Sequence, residues 1–275
     1  MKEIQMRMSE ICDLIGISPQ GIRLYEKHKA ITSFKKEDNG YRYYYFENLA
    51  SAIGLRSYKN LGITIKDSVS LCSGVTPDEI NNSLHEREKE ILDEIKRQEA
   101  LLECNRAMAR ALKYILNGYN KFEFCERPSM YFLKCEENGE ILKDKEARKL
   151  IRAWSNKIPL VKFLPVIEKE DLDKYVVAKV GFGVKEVYAK FISDINNERV
   201  KYYPSRKCIG GFVRVEEGTT DYFSVIEPGL VYLKENDLEL DGDIFTVLIA
   251  PSILANGVAA DYYYAWYPIK GKYDN

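Results

Sequence analysis

Apolar positions in the first thirty residues recur at helical spacing. In MSEICDLIGIS, Ile11, Leu14 and Ile15 form one stripe, with Ser9 placed to cap it and Gly16 to end it. Ser18 then offers a second cap, and Pro19 follows at the first helical position, where its missing N–H leaves no bond unmade. Ile22, Leu24 and Tyr25 hold that second helix down. Two short helices around a tight glycine turn predict a helix-turn-helix, whose second helix enters the DNA major groove, with Gln20 and Arg23 in its leading half. The period then falls to two. KKEDNGYRYYYF predicts a hairpin turning at Asn39-Gly40. Tyr41, Tyr43 and Tyr45 share one face of the returning strand, and Arg42, Tyr44 and Phe46 share the other. Two further helical stretches follow, ENLASAIGLRSYKNLG and IKDSVSLCS, with Arg56 and Lys59 three apart on one face.

From Pro77 to Gly118 one uninterrupted helix is predicted. A heptad frame with Leu84 at a gives a positions Leu84, Ile91, Gln98, Asn105 and Leu112, and d positions Glu88, Ile95, Leu102, Ala109 and Leu116. Seven of these ten are apolar, which favours a two-helix coiled coil over a helix packed only on its own C-terminal domain. Beyond residue 120 strands and helices alternate. SMYFLKC and DKYVVAKVGFGV read as strands flanking the helix DKEARKLIRAWSNKI. KYYPSRKCIGGFVRV, the helix TDYFSVIEPGLVYLKEND and a closing hairpin of DIFTVLIAP and DYYYAWYPI repeat the plan. The expectation is an α+β domain of two strand-helix-strand-strand repeats, with helices on one face of an antiparallel sheet. The expected division is 1–76 for the winged helix-turn-helix, 77–119 for the dimerisation helix and 120–275 for the sheet domain.

Composition changes this picture little. The formal net charge is −1, yet residues 1–70 hold eleven Lys and Arg against eight Asp and Glu, so the excess of basic residues is local. Nothing resembles a signal peptide or a membrane span, so a cytoplasmic chain with no membrane contact is expected. The six cysteines lack paired spacing, and no metal, cofactor or catalytic constellation is expected. Arg42 supplies a planar fork suited to phosphate oxygens, and tyrosine hydroxyls donate to the same atoms. The candidate DNA-contacting set is Ser18, Gln20, Arg23, Tyr25, Tyr41, Arg42, Arg56 and Lys59.

The order of these motifs resembles the MerR family of transcription regulators. The resemblance rests on Arg23, Tyr25 and Glu26 in the second helix, on Gly40 to Tyr44 in the wing, and on the Leu61-Gly62-Ile63 turn. It covers about the first quarter of the chain. It implies an antiparallel pairing of the long helix with its twin, hence a homodimer on a pseudo-palindromic promoter, with RNA polymerase as a partner. It also implies activation by distortion of an over-long promoter spacer. The tail, by element order, looks like a GyrI-like ligand-binding domain, which implies a pocket for a small hydrophobic or cationic aromatic molecule and a role in multidrug efflux. On the closing strand Tyr262, Tyr264 and Trp266 share a face, and they are placed in that pocket with Asp261, Phe245, Thr246 and Leu248. Thr246 stands where the family's usual drug-neutralising glutamate aligns. Two other readings are a GyrI-like hydrolase acting on a bound compound and a ligand-independent architectural DNA-binding protein.

Overall fold

Arg7, not Ser9, stands at the head of the first helix. The backbone N–H of Arg7 donates to the Glu10 carboxylate, and Ser9 lies inside the first turn. In this computed structural model residues 4–37, 40–137, 140–172, 178–216, 222–255 and 258–271 are described, so the turn expected at Asn39 lies outside the described residues. The chain forms two compact units, Met1–Lys96 and Arg97–Asn275.

In the first unit β1 (Gln5–Arg7) leads into α1 (Met8–Ile15) and α2 (Pro19–Lys27). They are followed by β2 (Phe34–Lys35), β3 (Arg42–Tyr45), α3 (Phe46–Asn60), α4 (Ile65–Leu71) and the start of α5 (Pro77–Leu116). The three strands lie in the order β1-β3-β2, so the wing hairpin gains a third strand from the segment ahead of α1. Ile11, Ile15, Ile22, Tyr25, Tyr44 and Leu55 form one core, which joins α1, α2, α3 and the wing. Ser18 accepts the Gly21 N–H at 3.2 Å and so caps α2. Gly16 ends α1 in the left-handed region, at φ 60°, and the Arg56 guanidinium lies against its Cα. A Cβ at Gly16 would meet Arg56 Nη1 at 2.8 Å. Gly16→Ala should therefore destabilise the head by about 1–2 kcal/mol, from left-handed strain plus displacement of Arg56, measurable as a lower urea midpoint for the full chain.

The second unit is built on an eight-stranded antiparallel sheet. Its elements are β4 (Phe122–Arg127), β5 (Met130–Lys134), a short ribbon of β6 (Glu136–Glu137) and β7 (Glu140–Ile141), and α6 (Lys145–Ser155). Then come β8 (Val161–Ile167), β9 (Lys179–Lys185), β10 (Val200–Tyr203), β11 (Arg206–Glu216), α7 (Phe223–Glu235), β12 (Ile244–Ala255) and β13 (Val258–Pro268). The strand order is β10-β5-β9-β8-β12-β13-β11-β4. Two strand-helix-strand-strand repeats, β5-α6-β8-β9 and β11-α7-β12-β13, thus meet at the central β8-β12 pair. Each repeat's outermost position is filled from the other side: β4, which precedes the first repeat, pairs with β11, and β10, which precedes the second, pairs with β5. The segment read as one strand from Lys201 to Val215 breaks at Pro204 into β10 and β11, since proline has no N–H for a ladder.

Both repeat helices cover the same sheet face. Beneath α6, Trp154 packs with Leu133, Leu150, Val161 and Val184; beneath α7, Ile226 and Leu233 pack with Ile209, Ala265 and Tyr267. The opposite face is covered in part by α5, whose Leu112 and Ile115 pack on Ala260 and Tyr262. Among the described residues no helix is long and apolar enough to cross a membrane.

Candidate nucleic-acid interface and effector cavity

The first site gathers around the wing. Tyr44 points inward, fully buried, and its hydroxyl donates to Glu26 at 3.2 Å. Arg42 pairs with the same carboxylate at 3.4 Å. Glu26 on α2 therefore fastens the wing to the second helix of the motif, a role that the sequence reading did not assign to it. On the other face Phe34 stacks on Tyr45 with ring centroids 4.4 Å apart, and Lys36 lies over the Tyr43 ring at 4.3 Å. Burial and the neighbouring Glu26 carboxylate raise the Tyr44 hydroxyl pKa, so it stays a neutral donor.

An open groove of about 670 Å³ runs between β1, α2 and the wing, and Arg7, Arg23, Lys35, Tyr41 and Arg42 line it. Its lining includes four cations and no carboxylate. Tyr41 is 70% exposed beside it, and Gln20 is exposed on α2. Arg7 and Lys35 were missed by the sequence reading; their signal was the strand pairing that brings both beside Arg42, since Lys35 is its register partner and Arg7 that of Tyr43. Four expected residues have other surroundings. Tyr25 is a core residue, because its ring closes the space between α1, α2 and α3. Ser18 is engaged as the α2 cap, and Arg56 lies over Gly16 at the carbonyl end of α1. Lys59 is exposed on α3, outside the groove.

The second site is a cavity of about 420 Å³ in the second unit, between the sheet face free of α6 and α7 and the last turns of α5. Its apolar walls are Leu164, Phe212, Val247, Ile249, Tyr264 and Trp266 from the sheet, with Ala107, Met108 and Ala111 from α5. The Tyr264 ring meets Trp266 and Phe212 edge-on at centroid distances of 4.9 and 4.8 Å. Its hydroxyl faces Cys125 Sγ at 3.8 Å, and burial raises the pKa of both groups.

Of the residues expected in a pocket, Tyr264 and Trp266 line this cavity. Phe245 shares their face as the register partner of Trp266, but it lies under the Arg127 guanidinium at 4.6 Å. Tyr262 also shares the face, yet Ile115 covers it and the Tyr119 ring stands edge-on 6.2 Å away. Thr246, Leu248 and Asp261 are corrections, because the β12-β13 register places them on the α7 side. Thr246 is opposite Ala265 and Leu248 opposite Tyr263, while Asp261 lies on the Tyr263 side of β13. The Thr246 hydroxyl is buried and donates to the Pro165 carbonyl at 3.0 Å. Val247 and Ile249 hold the cavity positions expected of Thr246 and Leu248. Among the described residues no group of His, Cys, Asp and Glu is arranged to hold a metal ion.

A helix-turn-helix carrying a basic wing groove is a DNA-binding module. Residues 6–75 match the family described as MerR HTH family regulatory protein, and this part of the chain is a MerR-type DNA-binding domain. The multidrug-efflux transporter 2 regulator of Bacillus subtilis (strain 168) is 29% identical over 97 residues, covering 34% of this chain. The chain matches only 36% of that relative's length. An uncharacterized HTH-type transcriptional regulator of Synechocystis sp. is 24% identical over 121 residues, covering 42% of this chain and 88% of that protein. Among solved structures, the EcmrR–DNA complex in EcmrR-RPo is similar at 15% identity with a TM-score of 0.38, covering 96% of this chain and 99% of that one.

Proposed function

We propose that the chain is a cytoplasmic, ligand-responsive transcription regulator. It acts as a homodimer on promoter DNA and activates by distorting the spacer when a small lipophilic aromatic molecule fills the α5 cavity. The observation that carries this reading is that one helix, α5, touches the end of α3 near its start and walls the cavity toward its end. Near its start Arg87 Nε donates to the Leu61 carbonyl, and the guanidinium packs on Gly62 at the end of α3. Toward its end Ala107 and Ala111 form a wall of the cavity. A ligand that prefers one seating of α5 on the sheet biases the helix that Arg87 ties to the DNA-binding head. The size of the response is set by the ligand's differential affinity for the two seatings. Exposed Leu92, Ile95 and Leu102 give α5 apolar surface for a second copy. RNA polymerase is the partner at the promoter, and reshaping of the spacer is readout through DNA deformability.

In vitro transcription from the chain's own upstream promoter, with and without a panel of aromatic compounds, tests this. The expected result is activation by at least one compound at roughly unchanged DNA occupancy, with the compound recovered intact. Tight DNA binding with no response to any compound would favour the architectural reading. Conversion of the compound during incubation would favour a hydrolase.

A further inference from the structure

The cavity contains one side chain that its apolar walls do not explain. Lys162 extends from β8 on the same face as Leu164 and is partly buried against Pro159, Leu160 and Cys104. Among the described residues no carboxylate pairs with it. Of the two carboxylates along the cavity, Glu103 is bonded to Arg110 at 2.6 Å, and Glu126 is exposed on the edge strand β4. Lys185, from the neighbouring strand β9, adds a further cation to the lining, beside the Arg110 that is paired with Glu103. A lysine in such surroundings has given up hydration without gaining a counter-ion, and burial together with Lys185 holds its pKa below the ordinary lysine range. The walls offer aromatic faces to a flat ring, and the unmatched polar group is a cation.

On the reading of this cavity as the effector site, we propose that its ligand class is a lipophilic aromatic acid, with the ring system against Tyr264 and Trp266 and a single anionic group paired to Lys162 Nζ. An organic cation would place like charge beside Lys162 and Lys185, since of the cavity's carboxylates Glu103 is held by Arg110 and Glu126 sits exposed on the edge strand β4, four strands from β8 in the sheet order. Binding of the acid gives the Lys162 ammonium the counter-ion it lacks, so a partly buried group that is a liability in the empty cavity becomes the recognition element of the filled one.

Two fluorescent probes with one scaffold test this in the full-length protein: 1-anilinonaphthalene-8-sulfonate, an anion, and N-phenyl-1-naphthylamine, its neutral parent. The sulfonate should bind about tenfold more tightly than the amine, and Lys162→Met, which keeps the stem but removes the charge, should erase that preference while leaving the amine within about twofold. Lys162→Arg should retain most of the preference, which separates loss of charge from loss of packing. Trp266→Ala should weaken both probes and so locate them in the cavity. Equal binding of the two probes by the wild type, or a preference for the sulfonate that survives Lys162→Met, overturns the charge assignment and leaves the cavity reading intact. Probe binding insensitive to Trp266→Ala, or no binding of either probe, overturns both.

Discussion

Replacing both Arg23 and Arg42 with alanine in the full chain should weaken binding to its upstream promoter fragment by about a hundredfold at moderate salt, roughly tenfold for each cation removed. Both line the open groove beside Tyr41, and no carboxylate shares the lining with them. The signature lies in the salt dependence. Removing one cation from the phosphate backbone should flatten the slope of log affinity against log salt by about one unit, and the weakening should be similar on unrelated DNA. Fluorescence anisotropy between low and moderate salt reads both quantities. An unchanged slope in the double variant would mean that the groove does not contact the phosphate backbone. Glu26 complicates Arg42 in a useful way, since the pair at 3.4 Å already holds the guanidinium in place before DNA arrives. The arginine is preorganised, and Glu26→Ala should loosen the wing while leaving the formal count of cations intact.

The largest stability effect should come from Trp154→Ala. The indole is fully buried between α6 and the sheet, against Leu133, Val161 and Val184, and its removal leaves a cavity worth about 3–5 kcal/mol. Trp154→Phe should be much milder than the alanine variant. The indole N–H has no hydrogen-bond partner among the described residues, so phenylalanine gives up ring volume without stranding an acceptor. Urea unfolding followed by circular dichroism of the full-length variants separates the two cases. Similar destabilisation by both would mean that the indole nitrogen makes a bond that this packing does not account for.

Local rules made the head legible and non-local ones hid much of the tail. The Ser18 cap with Pro19, the glycine stop at Gly16 and the alternation after Gly40 are encoded within a few residues of the elements they define. The fate of Tyr25 was not so encoded, since a helical face shows its burial only once α3 packs across it. In the tail the repeat plan and the two alternating faces of β13 were readable from period two, but not which face meets the cavity. The neighbouring strand left the same choice open: Ile244, Thr246 and Leu248 alternate as regularly as Phe245, Val247 and Ile249, and only pairing with β13 decides which set meets Tyr264. Strand β8 was hidden because Pro165 sits in its middle, a residue that argues against a central strand, and Lys162 was hidden with it. The contribution of α5 to the cavity walls depends on packing between distant segments and has no sequence signature of its own.

The crossing of β4 and β10 between the repeats bears on how the chain assembles during synthesis. When the first repeat has left the ribosome, β4 is still without its neighbour, since Cys125 pairs with Cys208 and Phe122 with Gly211, more than eighty residues later. The first repeat likewise waits for β10 before its outer strand β5 is covered. Neither half can therefore finish as an autonomous folding unit. Closing the whole sheet waits on distant pairings, a topology that favours slow folding and leaves strand edges exposed until those pairings form. A chain truncated before β11 should accordingly aggregate rather than persist as a half-domain, although it still carries a complete strand-helix-strand-strand repeat.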